Sequence, residues 1–289
     1  MRLATRRRLG ALAVLAPPLG WALLFMIVPY AIMFAYSFYR KQAFAFVPDL
    51  NLDSYVALLL DPQYSQVLLR TLKIALLVSI SALVLAYPLA YFLVFKVKSA
   101  RLRLFLYMAV IVPLWVSYLL RAYTWKTILG NEGVLNSFLV WTGILSEPSS
   151  LFIYNQFSMV LTLTYIFIPF MVMPIYTALE KIPRSLIEAS GDLGVPPALT
   201  FLRVTLPLSV PGILAGATFT FCLTFGDFVA PFLVGGPDGT LVANTIQSQF
   251  GIAFNWPLGA ALSIVMLAIV IFILSVSDRF ERAGRLDLA

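Results

Sequence analysis

The residues able to do chemistry gather in one short stretch. It reads Glu188-Ala189-Ser190-Gly191-Asp192-Leu193-Gly194, then nine residues, then Val204-Thr205-Leu206-Pro207. Two carboxylates, small residues, glycines and a closing proline make a folded element that recognises a partner rather than one that transforms a substrate. Histidine is absent and Cys222, the single cysteine, sits in an apolar run. An internal disulfide and a Cys/His metal cluster are therefore excluded, and Cys222 is expected to be a packing residue. No G-x-x-x-x-G-K-[ST] phosphate loop occurs, so the chain is not expected to hydrolyse ATP. No catalytic dyad can be assembled either. The expectation is no catalytic residue, no metal ligand and no cofactor held by this chain.

The polar stretch interrupts a very apolar sequence. Of 289 residues, 61% are hydrophobic and 11% charged, against about 25% charged in a soluble domain. That deficit requires lipid around much of the surface. A helix crosses the hydrocarbon core with about 20 apolar residues. Six stretches serve: one within Leu9–Tyr39, then Ile74–Phe95, Leu104–Leu120 extended through Tyr123 and Trp125, the later part of Leu151–Leu179, Ser209 to about Phe225, and Leu258–Ser277. The uncharged run Leu9–Tyr39 exceeds the roughly 7–15 residues of a signal-peptide core, so it is expected to be retained.

Basic residues orient the spans. Arg2, Arg6, Arg7 and Arg8, then Lys96, Lys98, Arg101 and Arg103, then Lys181, Arg184 and Arg203, and finally Arg279, Arg282 and Arg285 fall on one side. Arg40, Lys41, Arg70, Lys73, Arg121 and Lys126 fall on the other. The bias makes both termini cytoplasmic, which demands an even number of spans. Topology, not nucleic acid, accounts for the net charge of +7. Prolines 29, 88, 113, 169, 174 and 211 kink the spans, as neighbouring helices in a membrane bundle permit. Asn131–Leu145 has helical apolar spacing and is expected to lie on the outer surface.

The break itself predicts a cytoplasmic helix over about residues 183–194. Pro183 suits its first turn, and Leu186, Ala189, Ser190 and Leu193 share one face. Gly194 supplies a left-handed cap and Pro196-Pro197 stop continuation. Such a short helix needs something to pack on. A membrane surface is one option, but Glu188 and Asp192 favour a basic protein partner over anionic lipid.

These residues resemble the cytoplasmic signature of permease subunits of bacterial ATP-binding-cassette importers: Glu-Ala-Ala, three residues, Gly, nine residues, Ile, any residue, Leu-Pro. Every spacing is kept, with Ser190 for the second Ala and Val204 for Ile. The resemblance implies an all-α type I importer-permease fold with six transmembrane helices in the bacterial inner membrane. It implies a coupling helix seated on an ATPase subunit through Glu188, Ala189, Ser190, Asp192, Gly194, Leu206 and Pro207. ATP and Mg would reside on two partner ATPase subunits. A second, different permease chain and a periplasmic solute-binding protein complete the implied assembly. The core would span 64–277, with 1–63 carrying the tail, first span and first outer loop, and 278–289 a cytoplasmic tail.

Gly226-Asp227-Phe228-Val229-Ala230-Pro231, Gly235-Gly236-Pro237 and Asn255-Trp256-Pro257-Leu258-Gly259 are similar to spermidine/putrescine importer permeases. Importers of opines, other organic cations and amino-acid-like solutes share much of this pattern and stay open. For a polycation, Asp227 offers a counter-charge and Phe225 and Phe228 offer ring faces. Asp227 capping a helix end is the alternative. Tyr87, Tyr91, Trp125 and Tyr165 are further path candidates, each also explicable as packing. A secondary transporter or channel working without ATP is the rival class, although the charges cluster outside the spans and no inverted repeat shows. A membrane scaffold would account for the docking helix but not for the pattern after Gly226.

Overall fold

The computed structural model describes residues 14–42 and 45–286, with side-chain surroundings given as far as residue 280. The basic cluster Arg2 to Arg8 and the side chains of Arg282 and Arg285 lie outside the described residues. The chain divides into two compact units.

The first unit contains residues 14–62 and Thr245–Ala268. Helix α1, Val14–Tyr36, is apolar throughout, and none of its best membrane window is buried by protein. Its wide π turn Leu23–Ile27 precedes Pro29, whose missing N–H leaves the carbonyl four residues back without its usual donor. Strands β1, Arg40–Gln42, and β2, Ala45–Val47, pair antiparallel with Arg40 opposite Val47. Arg40 is bound to Asp49 and Asp53, both at 3.0 Å, so it clamps the strand pair to the start of α2, Asp53–Leu60. Phe46 stacks on Trp256, and the Lys41 ammonium donates to the Ala253 carbonyl at 2.9 Å.

The second unit holds Gln63–Asn244 and the chain from Ile269 onward. Its helices are α3, Pro62–Lys96; α4, Ala100–Trp115; α5, Tyr118–Leu129; α6, Val134–Trp141; α7, Gln156–Glu180; α8, Arg184–Asp192; α9, Pro197–Phe225; and α10, Val229–Val234. Two more helices, α11, Val242–Phe250, and α12, Trp256–Leu286, begin on either side of the loop at Gly251–Asn255 and carry the chain towards its end.

Helix α7 is the centre of this unit. Asn155 and Ser158 close a reciprocal capping box at its start, and 61% of its apolar window is buried, more than for any other span. Helix α9 packs along α7 more extensively than any other two helices pack. Gly212 and Gly216 make that approach possible. A Cβ on Gly212 would sit 2.5 Å from the Ala178 Cβ and 2.6 Å from the Pro174 carbonyl oxygen, and one on Gly216 would sit 2.8 Å from the Met171 sulfur. In lipid, where apolar tails compete equally for apolar side chains, close backbone approach of this kind holds helices together.

Two buried clusters flank the seam. One joins Ala86, Tyr87 and Ala90 of α3 to Met171, Ile175 and Tyr176 of α7. The other joins Ile74 and Val78 of α3, Ala122 of α5 and Met159 to Phe167 of α7 with Ala230, Leu233 and Val234 around α10.

Two sequence expectations need correction. The third span is not a continuous helix through Tyr123 and Trp125, because α4 and α5 meet at a 96° bend. Pro113 withholds a backbone donor, the chain tightens into a 3₁₀ turn at Val112–Trp115, and Val116 then turns extended. Among the described residues five helices are long and apolar enough to span, and the bent pair makes six if it serves as one span. The fifth span does not begin near Ser209 but at Pro197. A π turn at Phe201–Thr205 carries the helix past Pro207. Pro207 therefore lies within α9 and does not close the polar break.

Gly212→Ala is expected to open the α7–α9 seam at a cost of about 1–3 kcal/mol. Gly20→Ala on α1, where an added Cβ meets nothing within 4 Å, is the control. Thermal unfolding of the detergent-solubilised protein should fall for the first variant alone.

Candidate functional site

The polar break folds as expected in its first half. Pro183 stands at the N-cap, α8 covers Arg184–Asp192, and Gly194 takes φ +72°, the left-handed conformation that ends the helix. Which face is covered differs from the sequence expectation. Ile187 packs on the cluster around Tyr87 and Tyr176, and the Ser190 hydroxyl shares a 2.8 Å hydrogen bond with the Thr200 hydroxyl. Ile187 and Ser190, three positions apart, are therefore the inward face.

Leu186, Glu188, Ala189, Asp192 and Leu193 remain exposed, Leu193 by 82%. The expected apolar face of Leu186, Ala189, Ser190 and Leu193 is thus split, with only Ser190 turned inward. Of the two small residues at the signature, Ala189 alone is left free for a partner. The second half of the signature is structural: Leu206 packs against the cluster, while Pro207 is exposed on α9.

Asp227, 8% exposed, lies just past α9. Its Oδ1 accepts the Ala230 backbone N–H at 3.0 Å, capping α10, and its Oδ2 accepts the Tyr118 hydroxyl. Both oxygens are thus used within the chain. Phe225 is fully buried and stacks on Phe221. Phe228 is half-exposed, and its carbonyl accepts from Asn244 at 2.7 Å.

The remaining path candidates fall into two groups. Tyr87 shares a 2.9 Å hydrogen bond with Ser209 and meets Phe201 edge-on, as does Tyr91. Trp125 and Tyr165, with ring centroids 5.3 Å apart, line a cavity of about 250 Å³ together with Arg121. A guanidinium there opposes a cationic occupant. None of the seven candidates lines a groove of about 1120 Å³ that runs between α7 and α9 past Tyr107, Met173, Thr177, Lys181 and Phe219 and reaches Leu186 of α8.

Sequence reasoning missed Arg121, taking it for an outer-loop charge. It is 9% exposed and its Nη1 donates to the Ile166 carbonyl of α7 at 3.1 Å. The available signal was its place three residues after Tyr118, within the run treated as a span.

A bundle with a bent third span, a cytoplasmic-type signature on an exposed helix and a glycine-lined central seam defines a membrane permease of the importer class. Residues 75–285 match the family described as binding-protein-dependent transport system inner membrane component, and the chain belongs to that family. It is 38% identical over 275 residues to the spermidine/putrescine transport system permease protein PotB of Salmonella typhimurium (strain SL1344), covering 94% of this chain and 93% of the relative. With the protein of the same name from Escherichia coli (strain K12) it shares 39% over 269 residues, 92% of this chain and 95% of the relative. The fold matches a chain of the bacterial alginate ABC transporter in complex with an alginate pentasaccharide-bound periplasmic protein, with a TM-score of 0.79, 18% identity and 96% of each chain covered. The chain is therefore a multi-pass inner-membrane protein of an ABC importer.

Gly191 and Gly194 separate helix propensity from backbone strain, because an added Cβ meets nothing within 4 Å at either. Gly194→Ala must adopt φ near +72° and is expected to cost about 1–2 kcal/mol. Gly191→Ala, inside α8, is expected to gain about 0.5–1 kcal/mol. Protease resistance of the α8 segment should fall in the first variant and rise in the second.

Proposed function

We propose that this chain is one permease subunit of an ATP-driven polyamine importer and that α8 is the element through which a separate ATPase moves it. The observation that carries the coupling role is the division of α8. Ile187 and Ser190 pin it to the core, leaving Leu186, Glu188, Ala189, Asp192 and Leu193 uncovered. An exposed leucine beside two carboxylates suits a groove with an apolar floor and a basic rim, and Glu188 would pair with that rim. The substrate, spermidine or putrescine, rests on identity of 38–39% across nearly the whole chain to permeases named for that transport.

In this reading the termini and α8 face the cytoplasm. A periplasmic binding protein delivers the amine to the outer loops. Two ATP-binding subunits carry ATP and Mg, and a second permease of different sequence completes the path. Residues 64–277 form the permease core, with α1 an added span. ATP binding closes the paired ATPases, the closure displaces α8, and the displacement reaches α7 and α9 through Ile187 and the Ser190–Thr200 hydrogen bond. The inner and outer openings then exchange.

Glu188→Lys reverses the charge presented to the ATPase without touching a buried group. In a reconstituted complex it is expected to reduce both polyamine uptake and substrate-stimulated ATPase activity by at least about tenfold, the scale of losing a charge pair and gaining a repulsion. Wild-type values of both would remove α8 from the coupling role. Uptake of neither spermidine nor putrescine by the unmodified complex would remove the substrate assignment alone.

A further inference from the structure

We infer that Arg121 is the counter-charge of Asp227, acting on it through the Tyr118 ring, and that it is a positioning residue of the transport path. Both charges are inside the protein, at 9% and 8% exposure, and neither forms an ion pair among the described residues. Unpaired buried charges are costly, and a membrane protein keeps them where they serve its function.

Tyr118 stands between the two. Its hydroxyl donates to Asp227 Oδ2, and its ring lies 5.9 Å from the Arg121 guanidinium carbon, within cation–π range. The two contacts reinforce each other. Donating to a carboxylate makes the phenol ring richer in electrons, and a richer ring holds a cation better. Tyr118 and Arg121 lie one turn apart on α5, directly after the 96° bend, so the bend aims both side chains at once.

Each charge is also tied to a different element. Arg121 donates to the Ile166 carbonyl of α7, and its Nε has no hydrogen-bond partner among the described residues. Asp227 caps α10 through Ala230. The first turn of α5 thus joins α7 to the segment after α9 through one balanced pair of charges. A passing polycation meets that balanced pair rather than a bare carboxylate and is not retained by it. This consequence rests on the polyamine reading, whereas the pairing itself does not.

The test uses the complete transporter in proteoliposomes, with uptake normalised to assembled complex. Arg121→Gln and Asp227→Asn are each expected to lower uptake about tenfold, the double variant to return to within about threefold of wild type, and Arg121→Lys to keep at least about a third, because only the unbalanced charge is harmful. A double variant no better than the worse single, or Arg121→Gln at wild-type uptake, overturns the pairing. If a single variant does not assemble, assembly becomes the readout. Recovery in the double variant then supports the pairing, and failure there overturns it.

Arg121→Gln should also slow spermidine more than putrescine at saturating binding protein, and equal slowing overturns the charge-balance role. If the unmodified complex moves neither amine, the substrate assignment fails. The variant cycle is then read from assembly and ATPase activity.

Discussion

The close approach of α7 and α9 at Gly212 and Gly216 is the constraint from which the rest of this permease follows. Once those backbones touch, the end of α7 and the start of α9 are held side by side, and the short segment between them has little freedom. Helix α8 fills that gap. Nine residues cannot sustain a helix in water, so its persistence depends on Ile187 entering the neighbouring cluster and Ser190 reaching Thr200. At its far end the same seam delivers Gly226 and Asp227 to Tyr118, and the buried charges there inherit their placement from it. Helix α8 and the Tyr118–Asp227 contact therefore lie at two ends of one closely packed pair of helices.

The prolines show how a membrane helix absorbs a missing donor by more than one route. Pro29 and Pro207 each follow a π turn that widens the helix around the freed carbonyl, and the helix continues. Pro113 is followed by extended Val116, and the helix turns through 96°. The difference lies in what surrounds the residues beyond. On either side of Pro207, Leu206 and Ser209 are held by the cluster on α3 and α7, whereas after Pro113 the first residue of the next helix, Tyr118, stacks on Phe167 and donates to Asp227.

The existence of the spans and of α8, though not the bend of the third span or the start of the fifth, was legible in the sequence because each is a local property: an apolar run, or a helix bounded by Pro183 and Gly194. The signature spacing across Glu188 to Pro207 was legible for the same reason. What escaped depends on tertiary placement. Helical periodicity around Leu186 and Leu193 names a face but not the neighbour, and the core took Ile187 and Ser190 instead. Arg121 looked like a loop charge because nothing local marks the bend at Val116 as sharp enough to turn the next helix inward. Asp227 was recognised as a charge at the end of a span, yet its partner Tyr118 is 109 residues away and shares no local pattern with it.

The division of labour within the signature follows from the same geometry. A coupling helix must be firm towards its own subunit and available towards another, and these demands compete for the same few residues. In α8 they are separated by helical phase, with Ile187 and Ser190 turned in and Glu188, Ala189 and Asp192 turned out. Small Ala189 lies on the outer face, while the hydroxyl of Ser190 supplies a tether that alanine there lacks. The departure from the family pattern at position 190 thus falls on the inward side. It links α8 to α9 by a side-chain hydrogen bond as well as through the chain and leaves the exposed face of α8 unaltered.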